Sequence, residues 1–179
     1  MEQRTDRGFV DFDHTSASPD AAEILRAVSA RFGRVPKAVA RMVASPKLYR
    51  AFMGALAVFD RTSLDPLERE TVALTMGRVV GCAVCTTLHR ATLEHMNEGG
   101  LAEDLFDGRP PQSPRLAAPA TFTEAAFTHR GNVPEREWSA FSAHYTKEQA
   151  LEVLVGVGAY VMSTFANRLT AAPVDETSC

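Results

Sequence analysis

The sequence predicts an all-α protein, and three observations support this fold class. Apolar residues recur at spacings of three and four through most of the chain, as the buried face of a helix requires. Helix-start signals are frequent: a serine cap precedes a proline at Ser18-Pro19 and at Ser45-Pro46, and Asp65 is followed three residues later by Glu68 as a capping box. No segment alternates between polar and apolar residues for long enough to form a useful strand.

The first half of the chain is expected to hold four helices. The first begins at Pro19 and closes at Gly33, and a short second helix follows Pro36. The third begins at Pro46 and carries apolar residues as far as Phe59. The fourth begins after Asp65, runs to about Val80 and is broken by Gly81.

The second half begins with Cys82 at the mouth of a helix that continues to about Asn97, with Gly99-Gly100 ending it. Residues 107–114 (DGRPPQSP) form the strongest loop signal. A helix is expected from about Arg115 to Thr128, its start delayed by Pro119, and another opens at Pro134.

The last helix is expected over Lys147–Arg168, capped by Thr146 with Gln149 three residues later. It is apolar on nearly every side, so it should lie centrally or be buried in an oligomer. Gly156 and Gly158 lower its helix propensity, which indicates the close approach of another backbone.

The chain of 179 residues suits one domain, expected over residues 18–170. Residues 1–17 are interpreted as a flexible, solvated N-terminal arm, a reading preferred over metal binding by Asp11, Asp13 and His14. Residues 171–179 are expected to be a C-terminal tail, with Cys179 a free thiol. The net charge of −3 gives no indication of a nucleic acid or an anionic membrane as partner. The charged N-terminal segment lacks a secretory signal, so a cytoplasmic location is expected.

The segment GCAVCTTLHR, residues 81–90, concentrates the reactive side chains. Cys82 and Cys85 are three residues apart and His89 follows four residues later, which places all three on one helix face. The same face continues into Leu93, so it should point inward. The first turn of a helix favours a thiolate and lowers a cysteine pKa by roughly one unit. His89 is then positioned to accept the thiol proton directly or through a water.

Glu70 is the candidate third member of this group. Its neighbours at helical spacing are apolar or small, so its carboxylate should face inward, where burial is costly without a partner. His89 is the natural partner across a tight turn between two helices. Glu68 is explained by the capping box alone.

A zinc site built from Cys82, Cys85, His89 and Glu70 is the main alternative. Against it, the sequence has no second Cys-x-x-Cys pair, and three of the ligands would come from one helix. Two cysteines three residues apart can form a disulfide, but a bridge closing so short a loop stabilises little. Redox chemistry explains such a bond better than structure does.

The spacing resembles that of the alkylhydroperoxidase D-like (AhpD-like) members of the carboxymuconolactone decarboxylase superfamily. Their motif is a glutamate twelve positions before the first cysteine of Cys-x-x-Cys-x-x-x-His, which matches Glu70, Cys82, Cys85 and His89. The stretches VPKAVARMVASPKLYRAF, LDPLERETVAL and YTKEQALEVLVGVGAYVMSTFANRL also look like the family's helices, so the resemblance covers most of residues 33–169. Val84 departs from the pattern, because some peroxidase members have a histidine there.

The resemblance implies an AhpD-like helical bundle that forms homo-oligomers and reduces hydroperoxides. It implies that Cys85 is the peroxidatic residue and Cys82 the resolving one, which the reducing partner reaches. The mechanism we expect uses a lipoyl or thioredoxin-like protein as dithiol reductant and needs no cofactor or metal. Three alternatives are retained: a thiol redox sensor without peroxidase activity, a zinc-stabilised binding module, and a decarboxylase or isomerase on the same fold. Members with decarboxylase-type chemistry generally lack the cysteine pair.

Overall fold

The computed structural model describes residues 7–175, and within this range the chain is all-α, as predicted. No strand occurs in the described residues. The helices there are α1 (Pro19–Phe32), α2 (Lys37–Met42), α3 (Pro46–Phe59), α4 (Pro66–Val80), α5 (Ala83–His95), α6 (Gly99–Asp107), α7 (Pro114–Thr128), α8 (Glu135–Ser142) and α9 (Lys147–Leu169).

Local capping sets the predicted helix starts. The side chains of Ser18, Ser45 and Asp65 each accept a hydrogen bond from a backbone N–H in the first turn of the following helix. α4 and α9 both begin with a complete capping box, the latter formed by Thr146 and Gln149. Such caps satisfy backbone donors that the helix itself leaves unpaired. The predicted starts of α1, α3, α4 and α9 are therefore confirmed.

The prediction that Gly99-Gly100 ends the helix of Cys82 was wrong in one respect. α5 ends at His95, and Gly99 begins a further helix, α6. The residues Leu101 and Leu105 of α6 are buried against Leu74 and Leu93. This burial outweighs the low helix propensity of glycine, whose cost is also smaller at a helix terminus than in its interior.

Pro119 lies inside α7, which begins at Pro114 and is not delayed as expected. A proline has no N–H, so the carbonyl of Arg115, four residues earlier, loses its helical partner. The hydroxyl of Tyr145 lies 2.8 Å from that carbonyl oxygen and 2.9 Å from Oε1 of Glu68. Burial, and next the bond to Glu68, raises the pKa of Tyr145, so the hydroxyl remains a donor. Glu68 therefore has a second structural role in addition to the capping box of α4, because it accepts a hydrogen bond from Tyr145.

α4 and α9 form the centre of the bundle. α4 packs against α5, α7 and α9, and α9 also packs against α3. The largest cluster of buried side chains joins these helices through Phe59, Val72, Met76, Phe122, Phe141 and Val153. One side of α4 therefore packs against α5, the helix of the cysteines, and its other side packs against the main core cluster.

α9 is the one helix among residues 7–175 that is long and apolar enough, by length and composition, to cross a membrane. Its residues Val153 and Tyr160 belong to the main core cluster. We therefore interpret α9 as the core helix that its apolar composition predicted.

Gly156 of α9 lies against the ring of Phe59. A Cβ atom at this position would lie 2.6 Å from two ring carbons of Phe59, whereas a Cβ at Gly158 would meet nothing within 4 Å. The close approach predicted at Gly156 thus comes from a side chain and not from a backbone, and Gly158 has no such neighbour.

Replacing Gly156 with alanine is expected to lower the free energy of unfolding by about 1–3 kcal/mol, because Phe59 is fully buried and has little room to move. Gly158→Ala is the matched control and should raise stability by about 0.5–1 kcal/mol through helix propensity. Chemical denaturation of both variants measures the difference. Equal stabilities of the two variants would contradict the close contact between Gly156 and the ring of Phe59.

The described part of the N-terminal segment, residues 7–17, contacts α2. Asp11 binds Lys37 and Arg41, and these bonds lower the pKa of its carboxyl group. Arg41 also donates to the carbonyl oxygens of Thr170 and Ala171, so α2 links both ends of the described chain. The flexibility of residues 1–17 as a whole stays a prediction, and Cys179 lies outside the described residues.

Candidate active site

Cys82 and Cys85 lie at the start of α5 and are joined by a disulfide bond, with their Cα atoms 5.3 Å apart. Cys82 is the N-cap residue, and its Sγ accepts the backbone N–H of Cys85 at 3.3 Å. Both side chains are almost fully buried, with exposed fractions of 2% and 5%. The pair therefore lies at the positive end of a helix and away from bulk water.

Glycines allow α5 to approach α4 closely. Gly81 has a φ of 70° and turns the chain sharply between the two helices. A Cβ at Gly77 would lie 3.2 Å from both Cβ of Cys85 and the backbone nitrogen of Thr86. A larger residue at Gly77 would push the cysteine helix away from α4, whereas a Cβ at Gly81 would lie 2.7 Å from Nη1 of Arg168.

The short separation of α4 and α5 brings Glu70 and His89 together, with Oε2 of Glu70 2.8 Å from Nδ1 of His89. Both side chains are mostly buried, with 20% and 12% exposed. A carboxylate at this distance accepts the proton of Nδ1, and Nε2 is then the nitrogen that can accept a proton from another group. The structure thus places the four predicted residues on two adjacent helices as one disulfide and one hydrogen-bonded pair.

Tyr160 of α9 adds an aromatic wall that the sequence analysis treated only as part of an apolar helix. Its ring meets the imidazole of His89 edge to face, with ring centroids 5.2 Å apart. Burial, and next the charge of Glu70, raises the pKa of its phenol. Tyr160 therefore stays neutral beside His89 and limits the movement of the imidazole ring.

Asn167 is the second residue that sequence reasoning did not assign to the site. Its Nδ2 lies 3.4 Å from Sγ of Cys85 and 3.8 Å from Sγ of Cys82, and its side chain is buried. Next to it, Nη1 of Arg168 lies 2.7 Å from the carbonyl oxygen of Gly81. The feature of the sequence that could have identified Asn167 is the polar Asn-Arg pair near the end of an otherwise apolar helix.

Metal binding was the main alternative for these residues. Within residues 7–175, no group of three or more histidine, cysteine, aspartate or glutamate side chains is arranged to hold a metal ion. The two sulfur atoms are bonded to each other, and the remaining pair, Glu70 and His89, are hydrogen-bonded to one another. In this arrangement the four side chains form two separate pairs, and not the single tetrahedral donor set that zinc requires.

Solved structures of similar shape define the fold as AhpD-like. A protein from Ralstonia eutropha JMP134, described as an alkylhydroperoxidase AhpD core and an uncharacterized peroxidase-related protein, superposes with a TM-score of 0.79 over 94% of this chain and 92% of its own, at 18% identity. An uncharacterized peroxidase-related protein from Silicibacter sp. TM1040 gives 0.73 at 16% identity, covering 97% and 93% of the two chains.

The same fold also occurs in a protein with a different named activity. The debrominase Bmp8 superposes with a TM-score of 0.70 at 18% identity, over 88% of this chain and 87% of its own. No family model matches the sequence, and no curated protein matches it significantly. At these identities the similarity establishes the AhpD-like fold, and the activity depends on the residues of the site.

Proposed function

We propose that the protein is a thiol-dependent peroxidase that reduces hydroperoxides through Cys82 and Cys85. The observation that carries the proposal is the geometry of one site. A buried cysteine pair, joined by a disulfide, lies at the N-terminus of α5, and the same helix carries, four residues after Cys85, a histidine hydrogen-bonded to Glu70. The peroxidase-related proteins of the same fold support it.

The first half of the cycle oxidises Cys85. His89, oriented by Glu70, takes the proton of the Cys85 thiol directly or through a water. The thiolate attacks the terminal oxygen of the hydroperoxide, so an S–O bond forms while the O–O bond breaks. The alkoxide that leaves takes the proton back from His89 as an alcohol, and Cys85 becomes a sulfenic acid. The hydroperoxide gains two electrons and Cys85 loses two.

The second half releases water and restores the thiols. Cys82 attacks the sulfenic sulfur of Cys85, an S–S bond forms, and the S–O bond breaks to give water. A dithiol protein, lipoyl or thioredoxin-like, then reduces the disulfide and becomes a disulfide itself. The side chains supply all of the chemistry, so the proposed cycle uses no cofactor. We place it in the cytoplasm, where such reductants keep thiols reduced.

The disulfide has little structural value, which favours this redox interpretation. Its two residues are separated by three positions, and a loop this short removes little entropy from the unfolded chain. The helices around it are already held by caps and by a well-packed core. Reversible oxidation therefore need not threaten the fold.

We extend the proposal to a homo-oligomer, because α9 leaves four large apolar side chains exposed. They are Leu151, Leu154, Phe165 and Leu169. An apolar surface on the most apolar helix is typical of an interface between subunits. Light scattering of the purified protein tests this, and a monomer would contradict it.

Thiol titration before and after peroxide tests the proposed function. In a Cys179→Ser background, the reduced protein should show two reactive thiols per chain in denaturant and none after one equivalent of hydroperoxide. Stopped-flow mixing with lipoyl and thioredoxin-like dithiols then identifies the reductant. Two thiols that persist after peroxide would refute peroxidase chemistry and leave the redox-sensor, zinc and decarboxylase alternatives.

Debromination is the second candidate, because a debrominase shares the fold and one of its structures contains 2,3,4-tribromopyrrole. The same thiol titration is repeated with a brominated pyrrole in place of peroxide. Loss of both thiols with release of bromide, and no reaction with hydroperoxide, would favour it.

A further inference from the structure

We infer that Asn167 is a catalytic residue whose side-chain amide stabilises the thiolate of Cys85. The amide acts on the reacting sulfur itself and not through another residue. Its contribution to peroxide turnover rests on the proposed function. Its effect on the acidity of Cys85 is a property of the site alone.

Asn167 is suitably placed for this role. It is 95% buried, since only 5% of the residue is exposed, and its Nδ2 lies closer to Cys85 (3.4 Å) than to Cys82 (3.8 Å). Within residues 7–175, it is the one side chain that donates a hydrogen bond to the sulfur of Cys85. A hydrogen bond from an amide to a charged acceptor in a buried site is stronger than one to a neutral acceptor.

The helix N-terminus serves the other cysteine. The first-turn N–H of Cys85 points to Sγ of Cys82, the N-cap residue. Within residues 7–175, Sγ of Cys85 accepts a hydrogen bond from the side chain of Asn167 and from no backbone N–H. The thiolate of Cys85 therefore needs a donor from outside α5, and Asn167, on α9, supplies one.

The other half of the amide also points to a ligand. Oδ1 of Asn167 is buried and has no hydrogen-bond donor. Buried acceptors without a partner are uncommon in folded proteins. Oδ1 belongs to the same amide group whose Nδ2 contacts both sulfur atoms. The O–H of a hydroperoxide, or that of the sulfenic acid on Cys85, would provide the missing donor at this position.

Both halves of the cycle would use this amide. When Cys85 attacks the peroxide, the bond from Nδ2 increases the fraction of thiolate. When an external dithiol attacks Cys82, Cys85 departs as a thiolate, and the same bond stabilises the leaving group.

The test measures the pKa of Cys85 in a protein that has no other thiol, made by Cys82→Ser and Cys179→Ser. Thiolate absorbance in the ultraviolet is followed against pH. Asn167→Leu keeps a similar volume but removes the donor, and it should raise the pKa of Cys85 by about one to two units. Asn167→Asp has the shape of asparagine and places a carboxylate near the sulfur, so it should raise the pKa at least as much.

Thr123→Val is the matched control. The hydroxyl of Thr123 is also buried and without a partner, but it belongs to α7 and makes no hydrogen bond to a sulfur. This variant should leave the pKa of Cys85 unchanged. Circular dichroism checks that each variant is folded, and Asn167→Asp decides the question if the leucine variant does not fold.

Two outcomes separate this inference from the proposed function. An unchanged pKa of Cys85 in the folded Asn167 variants would overturn the inference, whether or not the protein reduces peroxide. A raised pKa in a protein that does not react with peroxide would uphold the role of Asn167 and remove the peroxidase proposal.

Discussion

Cys85→Ser is expected to abolish hydroperoxide turnover while leaving the fold intact. A serine hydroxyl is a far weaker nucleophile than a thiolate, and it cannot form the sulfenic acid that the second step requires. Serine is also close in size to cysteine, so the buried position at the start of α5 should tolerate it. Peroxide consumption with an excess of dithiol reductant measures the loss, and circular dichroism checks the helices.

Cys82→Ser is the variant to compare with Cys85→Ser. It retains the peroxidatic thiol, so in the absence of any reductant it should consume one equivalent of peroxide and then stop as a sulfenic acid that a dimedone probe can label. Cys179→Ser, at the end of the chain, is the neutral control and should turn over like the natural protein. Sustained turnover by Cys85→Ser would remove the mechanism, and a single equivalent consumed by Cys85→Ser but not by Cys82→Ser would reverse the two roles.

Glu70→Gln is expected to lower the rate of peroxide reduction by about 10²- to 10⁴-fold, the range typical of general-base catalysis, because it disables His89 as the base. The carboxylate can only accept a hydrogen bond, so it holds the proton of His89 on Nδ1. A glutamine can also donate, which allows the other tautomer and leaves Nε2 protonated and unable to accept the thiol proton. The effect should appear in the reaction of the reduced protein with peroxide, measured by stopped flow.

Glu94→Gln is the control for that substitution, because Glu94 is an exposed carboxylate on α5, the helix that carries His89. Its loss should change the rate little, since exposed ion pairs contribute weakly. A full rate in Glu70→Gln, with the fold retained, would show that Glu70 does not act through His89.

The sequence by itself determined the features that depend on neighbouring residues. Each helix cap, at Ser18, Ser45, Asp65 and Thr146, is a hydrogen bond from a backbone N–H only three residues later. The local sequence was therefore sufficient to predict where those helices begin. The spacing of Cys82, Cys85 and His89 likewise predicted one face of one helix. The pairing of His89 with Glu70, nineteen residues away, followed because one tight turn joins two adjacent helices.

Only the tertiary structure decided the rest. The start of α6 at Gly99 depends on leucines that find a buried surface on α4 and α5. The carbonyl of Arg115, which Pro119 leaves without a helical partner, is paired with a hydroxyl from Tyr145, on another part of the chain. Asn167 reaches Cys85 across a separation of 82 residues. Local geometry determines the hydrogen bonds within one helical turn. The contacts of α6, Pro119 and Asn167 form only after whole helices have packed. A local sequence pattern does not predict which distant side chain lies at such a contact.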